Sequence, residues 1–231
     1  MRTLFTQSFD PNSRFIKLVL AEKQLDARFE TPTNDEDGAA FAIANPALTV
    51  PVLIDEAPTG GEVSISPETA IAEYLDEAYP GATLMPQTSA GRAEVRRLLA
   101  WAAVKFEADV NTLLLRPRLE SGGRYIFEPD ARRAGLSALQ WHLDYFNWLL
   151  EQRAWLAGEK MTLADFSIAA RLSTLDYFGD ISWTSAHNDA GGLMDVKAWY
   201  ARMKCRPSFR QVLEERFANT PPASHYQNPD F

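Results

Sequence analysis

Cysteine, histidine and long apolar runs are all scarce in this chain of 231 residues. The one cysteine, Cys205, excludes an internal disulfide and any metal site built from several thiolates of a single chain. The three histidines, His142, His187 and His225, lie far apart, with no cysteine or acidic residue at ligand spacing, so the sequence predicts no metal site. Neither a P-loop nor a GxGxxG motif is present.

No run of about eighteen apolar residues occurs, and none follows the early arginine, so the sequence predicts neither a membrane span nor a signal peptide. This pattern and the lone cysteine favour the cytoplasm. Basic residues number 23 against 31 acidic ones, and the net charge of -8 disfavours nucleic-acid and membrane partners. One basic cluster alternates with acidic residues and is interpreted as a solvated surface at a helix end. Its members are Arg116, Arg118, Arg124, Arg132 and Arg133.

The hydropathy period changes once along the chain, from alternating strand and helix signals to helix alone. We predict strands at residues 3–9, 27–31, 50–54 and 62–65, with a helix after the first strand and another after the fourth. Asp10 suits the N-cap of the first helix, and Pro11 suits its first turn. The Pro- and Gly-rich residues 80–91 then mark a domain boundary.

Two domains and a tail are therefore predicted: residues 1–82 with strands and helices, residues 90–217 all helical, and residues 218–231 as a C-terminal tail. Apolar stripes at helical spacing, such as those within residues 95–114 and 136–150, are interpreted as core. The tail has three prolines and no helical period, so it should be extended or mobile. Because the tail keeps aromatic residues, docking onto its own body or a partner stays open beside a frayed end.

Three local motifs carry a resemblance to a known family. Val50 and Pro51 precede a strand, residues 70–75 form a helix after the fourth strand, and Thr162 and Asp165 have the spacing of a structural helix cap. In this order they resemble the glutathione transferase superfamily over nearly the whole chain. The resemblance implies an α/β plus all-α fold, with a thioredoxin-like N-terminal domain and a C-terminal helical bundle. It also implies a homodimer and a cis peptide bond before Pro51.

The resemblance further implies a glutathione site, with glutathione as substrate and no cofactor, in which Val50 and Pro51 bind the tripeptide. In the family a hydroxyl or thiol at the end of the first strand favours the thiolate of glutathione. The position of the active serine holds Asp10, whose ionised carboxylate can only accept hydrogen bonds and opposes a thiolate. Ser13, one turn further on, is the nearest hydroxyl and the candidate catalytic residue. The alternative is that Ser13 is an ordinary polar residue in the first turn of the helix.

The glutamyl end of that site also departs from the family. Relatives usually have Glu-Ser here, where the serine hydroxyl and the helix N-terminus hold the substrate carboxylate, but this sequence has Pro67 and Glu68. A glutamate facing a carboxylate is a like-charge contact, and proline lacks an N–H donor. Ser66 and Thr69 flank the position and can compensate. Glu68 and Thr69 are therefore the candidates for this end of the site if glutathione binding is retained.

The C-terminal third is similar to a narrower group, the FtsZ-localised protein A branch of transferase-like bacterial proteins. The similarity lies in residues 172–183 and 196–209 and in four tail residues, His225, Tyr226, Asp230 and Phe231. It implies binding to filaments of the tubulin-like division protein FtsZ without ordinary glutathione dependence, and it assigns partner binding to the tail.

Two hypotheses follow, and the residues alone leave open whether the chain is an enzyme. The first is a cell-division regulator that binds FtsZ. The alternative is a glutathione transferase that conjugates glutathione to small electrophiles through Ser13.

Overall fold

A four-stranded mixed sheet forms the centre of the N-terminal domain, with strand order β2-β1-β3-β4. The computed structural model describes residues 2–33, 36–122, 128–183 and 193–228, without the side chains of residues 36–39. The strands are β1 (Thr3–Phe5), β2 (Arg28–Glu30), β3 (Val52–Glu56) and β4 (Glu62–Ile65). β1 pairs with β2 in parallel and with β3 antiparallel, and β4 pairs antiparallel with β3. The predicted strand at residues 62–65 is confirmed.

Helices α1 (Pro11–Glu22), α2 (Glu36–Ala44) and α3 (Glu68–Ala78) complete this domain. Asp10 caps α1 by accepting a hydrogen bond from the Ser13 backbone N–H, and Pro11 begins the helix, as predicted. β1 ends at Phe5 and not at residue 9, because the chain leaves the strand for a turn in which Phe9 has a φ of 60°. α2 was not predicted, since the apolar residues in its second half are nearly consecutive and lack helical spacing.

The second domain is helical, as predicted. It begins with three helical segments that follow one another without a break: α4 (Ser89–Ala100), a π-helical stretch (Trp101–Leu115) and α5 (Arg116–Glu120). These segments are followed by α6 (Pro129–Leu150), α7 (Leu163–Tyr177), α8 (Met194–Lys204), a 3-10 turn (Pro207–Phe209) and α9 (Arg210–Glu214). Within the described ranges no helix combines the length and apolarity needed to cross a bilayer. The α/β plus all-α fold predicted from sequence is confirmed.

Helix α7 is the central element of the molecule, because all of its residues are buried. It packs against α1 of the first domain, against α4 and against the π-helical stretch. One apolar core runs through both domains and includes Leu4 and Phe15 of the first domain and Phe166 and Leu172 of α7. The two domains are therefore joined by core packing, and polar side chains at their junction are removed from water.

The described part of the tail lies against the molecule's own body. The Tyr177 hydroxyl donates to the Thr220 carbonyl over 2.6 Å, and the Ala223 N–H donates to the Tyr177 carbonyl over 2.9 Å. Tyr226 is completely buried. The last helix ends at Glu214, short of the predicted residue 217, and an isolated β-bridge joins Phe217 to Thr220. Of the alternatives that the sequence left open for the tail, residues 218–228 therefore show docking onto the molecule's own body.

Candidate functional site

The sheet brings the sequence-predicted glutathione residues to one edge. The end of β1 pairs with the start of β3, which in turn pairs with the end of β4. Val50 and Pro51 immediately precede β3, while Glu68 and Thr69 begin α3 just beyond β4. The peptide bond between Val50 and Pro51 is cis, as the family resemblance implies. This edge also carries the loop from β1 to α1, which ends at Asp10.

Asp10 is almost fully buried, at 2% exposure, and its carboxylate is already hydrogen-bonded by the protein. It accepts from the Ser13 N–H at 2.8 Å and from the Ser13 hydroxyl at 2.9 Å. Arg116 Nη1 lies 3.4 Å from its other oxygen. Burial raises the pKa of Asp10, although the Ser13 hydrogen bonds and the Arg116 charge oppose this shift.

Ser13 is completely buried, and its hydroxyl proton is directed at Asp10. The same oxygen accepts a hydrogen bond from the Gln7 N–H at 3.2 Å. In this conformation the hydroxyl is part of the cap of α1, so donation to a thiolate requires a rearrangement of both Ser13 and Asp10. The catalytic role of Ser13 stays a prediction.

The basic cluster interpreted as a solvated surface divides in the structure. Arg118, at 13% side-chain exposure, is mostly buried and departs from that interpretation, whereas Arg116 is 35% exposed while its guanidinium forms ion pairs. Arg116 Nε donates to Glu107 over 2.6 Å, and Arg118 Nη1 donates to the buried Asp180 over 2.6 Å. Both arginines compensate carboxylates that the fold removes from water. Arg132 and Arg133 are exposed, as interpreted, and Arg124 lies outside the described residues.

Arg171 of α7 connects the two domains next to Glu68. It is 1% exposed and makes four hydrogen bonds, to Asn12 Oδ1 at 2.7 Å, the Ala102 carbonyl at 3.1 Å, and Ser167 Oγ and carbonyl at 2.8 and 3.1 Å. Glu68 Oε1 lies 3.9 Å from Arg171 Nη2. Burial lowers the pKa of Arg171, and the Glu68 carboxylate opposes this shift. The glutamyl end of the expected glutathione site thus contains a buried glutamate facing an already bonded arginine. Thr69 is partly exposed.

Sequence reasoning missed the polar network at this junction. Four separate segments of the chain contribute to it, and no local motif connects Asp10, Glu107, Arg116 and Arg171. One signal was available: Arg171 stands in a run whose neighbours are mostly apolar or small, where a charge must find internal partners. The network lies at the junction of the two domains, and domain junctions are a preferred location for small-molecule sites.

Thr162 and Asp165 occupy the start of α7, where the structure has a capping box. Asp165 is completely buried and accepts from the Thr162 N–H at 2.8 Å and the Thr162 hydroxyl at 3.1 Å. It also accepts from the Leu156 N–H at 3.0 Å and from Trp199 Nε1 at 2.9 Å. Burial raises the pKa of Asp165, and these hydrogen bonds oppose the shift. The carboxylate therefore joins three segments of the second domain.

Of the tail residues assigned to partner binding, His225 and Tyr226 bind the molecule's own body. His225 Nε2 lies 2.8 Å from Asp176 Oδ1, and the Tyr226 hydroxyl donates to the Val212 carbonyl over 3.2 Å. Their role toward a partner stays a prediction. Asp230 and Phe231 lie outside the described residues. Across the parts of the chain that are described, no group of three or more His, Cys, Asp or Glu side chains could hold a metal ion.

A sheet of this order, followed by an all-helical domain with a buried capping box, defines the glutathione transferase fold. The chain belongs to the glutathione S-transferase family: residues 4–83 match the family's N-terminal domain and residues 124–216 its C-terminal domain.

Individual relatives match over the full length. The chain is 39% identical to "FtsZ-localized protein A" of Caulobacter vibrioides over 100% of this chain and 98% of that protein. Among solved structures, FzlA from C. crescentus has a TM-score of 0.89 at 38% identity, covering 100% of this chain and 99% of the other. A glutathione S-transferase from Rhodospirillum rubrum F11 has a TM-score of 0.86 at 37% identity, covering 100% of both chains.

Proposed function

We propose that this chain is a cell-division protein with a glutathione transferase fold, which binds FtsZ filaments in the cytoplasm and depends weakly or not at all on glutathione. The observation that carries the proposal is the full-length match at 39% identity to a relative named for its localisation with FtsZ. The match covers the whole chain, including the tail. Two proteins that share only a fold need not share such a tail, so the full-length match points to a shared role.

The chemistry at the end of β1 supports weak glutathione dependence. Activation of glutathione needs a hydrogen-bond donor or a positive charge near sulfur, since either favours the thiolate. Asp10 contributes an acceptor instead, and its two oxygens already bind Ser13 and Arg116. A thiolate here would meet a carboxylate when Asp10 is ionised.

The opposite end of the site supports the same conclusion. The family resemblance assigns the substrate carboxylate to the start of α3, where the buried Glu68 carboxylate lies, and like charges at close range repel. Arg171 is the nearby cation, but its four hydrogen bonds go to the protein's own oxygens. A ligand carboxylate would have to displace these bonds.

Co-sedimentation with FtsZ filaments tests the proposal. We expect the full-length protein to pellet with filaments assembled with GTP and to stay in the supernatant when GTP is omitted. A variant lacking residues 218–231 should lose the association. The control is Met194→Lys, which changes a residue of α8 that is 71% exposed and should retain the association. Because the deletion removes the buried Tyr226, circular dichroism must show that the variant is folded. Absence of pelleting by the full-length protein contradicts the proposal.

The alternative function is a glutathione transferase that uses Ser13. Its support is the 37% identity to the R. rubrum structure described as a glutathione S-transferase. On this alternative the protein needs no cofactor and takes glutathione as substrate. Retention on glutathione resin and turnover of a chlorinated nitrobenzene, both lost in Ser13→Ala, would favour it over the FtsZ-binding proposal.

We also propose that the protein is a homodimer that pairs through the face of the π-helical stretch and α6. Trp141 and Trp148, seven positions apart on α6, are 50% and 52% exposed, and the Trp141 ring stacks on Trp101 of the π-helical stretch at 5.7 Å. Large apolar side chains grouped on one face are typical of subunit contacts. Sedimentation velocity should give twice the chain mass of 25.9 kDa, and a monomer mass contradicts this proposal.

A further inference from the structure

Three aromatic rings surround Phe9, the residue that precedes Asp10, and a fourth ring packs against one of the three. We call this group the aromatic cage; its members are Phe9, Tyr177, Phe178, Phe217 and Tyr226. The Phe9 ring lies 4.5 Å from Tyr177, 5.7 Å from Phe178 and 5.2 Å from Phe217, measured between ring centroids. Tyr226 of the tail packs edge-on against Tyr177 at 5.1 Å. The cage therefore joins the β1–α1 loop, the end of α7 and the C-terminal tail.

Phe9 has a backbone conformation that a free chain would avoid. Its φ is 60°, in the left-handed region that is unfavourable for a bulky side chain, and its ring is completely buried. Such a conformation persists only when the surrounding packing holds it. The cage provides that packing, so the shape of the loop depends on rings that follow it by more than 150 positions in the sequence.

Arg14 connects the same parts through charge and hydrogen bonds. Its guanidinium carbon lies 4.0 Å above the centre of the Phe9 ring, and the side chain is completely buried. Arg14 Nε donates to Glu215 over 2.8 Å, and Nη1 lies 3.4 Å from the Tyr226 hydroxyl. Because this one cation contacts Phe9 of the loop, Glu215 after α9 and Tyr226 of the tail, the positions of these three segments depend on one another.

Tyr177 forms hydrogen bonds with the start of the tail. Its hydroxyl donates to the Thr220 carbonyl and accepts from the Phe217 N–H at 3.0 Å, and its carbonyl accepts from the Ala223 N–H. Further along, Lys204 Nζ donates to the carbonyls of His225 at 3.3 Å and Asn228 at 2.9 Å. The tail is thus held by a few bonds without a helix or sheet, which is the kind of segment that opens locally before the core does.

From these contacts we propose that the C-terminal tail is a strap that holds the β1–α1 loop in its observed shape. With the tail docked, Phe9 is fixed in the left-handed conformation and Asp10 is placed at the cap of α1. With the tail displaced, the cage loses Tyr226, Phe9 relaxes, and the exposed residues Gln7 and Ser8 between Thr6 and Phe9 move with it. A partner that captures the tail thereby changes the surface at the domain junction. The coupling holds whichever partner the protein binds and goes beyond the proposed function.

Hydrogen–deuterium exchange on the full chain tests the coupling. In Tyr226→Ala we expect amides of residues 6–13 to exchange at least about tenfold faster, because local opening of the loop becomes easier. Tyr226→Phe keeps the ring but removes the hydroxyl contacts with Arg14 and Val212, so its increase should be smaller than that of Tyr226→Ala. Phe146→Ala, which truncates an equally buried aromatic residue outside the cage, is the matched control and should leave residues 6–13 unchanged relative to the rest of the molecule.

Coupling between two sites is reciprocal, so a second variant tests it from the other side. Phe9→Gly removes the ring and tolerates the left-handed conformation. It should accelerate exchange of the Thr220, Ala223 and Tyr226 amides, which are hydrogen-bonded in the docked tail. This measurement decides the question even if Tyr226→Ala does not fold. Unchanged exchange in both variants, or an increase equal to that in Phe146→Ala, overturns the proposal.

Discussion

Replacing Arg171 with alanine should lower the free energy of unfolding by about 3–5 kcal/mol, the range measured when one partner of a buried ion pair is removed. The guanidinium is 1% exposed and contacts Asn12 and Glu68 of the first domain as well as Ala102 and Ser167 of the second. Its loss leaves a buried carboxylate without its cation and several oxygens without donors. Urea denaturation followed by circular dichroism measures the change.

Two further variants make this prediction specific. Arg92→Ala removes an arginine whose ion pairs with Glu73 and Glu77 lie near the surface, and it should cost less than about 1 kcal/mol. Arg171→Met combined with Glu68→Gln removes both charges and should recover part of the loss, since an uncompensated buried charge is then absent. A loss below about 1 kcal/mol in Arg171→Ala would contradict the role given to this residue.

Replacing Asp165 with alanine is the second change for which we expect a large effect, again about 3–5 kcal/mol. Asp165 is the N3 residue of the capping box whose N-cap is Thr162, and each buried donor left without an acceptor by its loss costs about 1–3 kcal/mol. The Asp165 carboxylate accepts from Leu156, Thr162 and Trp199 in a fully buried position, so the variant leaves donors of three segments unpaired. The unfolding free energy in urea is again the measurement.

Thr88→Ala is the matched control, because Thr88 caps α4 through a hydrogen bond from the Gly91 N–H at 3.2 Å in an exposed position. This variant should cost about 1 kcal/mol, as is typical for an exposed cap. Asp165→Asn keeps one acceptor oxygen, so its loss in free energy of unfolding should lie between those of Asp165→Ala and Thr88→Ala. Equal losses in Asp165→Ala and Thr88→Ala would show that the buried hydrogen bonds of Asp165 add nothing to the cap.

The sequence predicted those features that depend on neighbouring residues. Asp10 and Pro11 start α1, and the Thr162–Asp165 spacing begins α7, because helix caps are decided within one turn of the chain. The strand at residues 62–65 was equally clear from its turn signal and its alternating pattern.

The junction network could not be predicted, because its partners are far apart in sequence. Arg171 and Asn12 are separated by 159 positions, and Arg116 and Asp10 by 106. No periodicity relates such pairs, so a cluster of arginines looked like a solvated helix end. The aromatic residues of the tail left docking open, but the surface that holds the tail was unpredictable for the same reason, since Tyr226 and Arg14 are separated by 212 positions. The prolines and polar residues of the tail indicate an extended chain, but they say nothing about which surface holds it.

Titration of the purified full-length protein with glutathione, followed by calorimetry, tests the central claim most directly. That claim is that the fold is a transferase's, while the charged groups near the expected glutathione site already bond to the protein itself. These groups are Asp10, Glu68, Arg116 and Arg171. We predict no saturable heat at millimolar glutathione, because neither the thiol nor the glutamyl carboxylate finds a free partner of suitable charge. Saturable binding that weakens in Ser13→Ala would contradict the account.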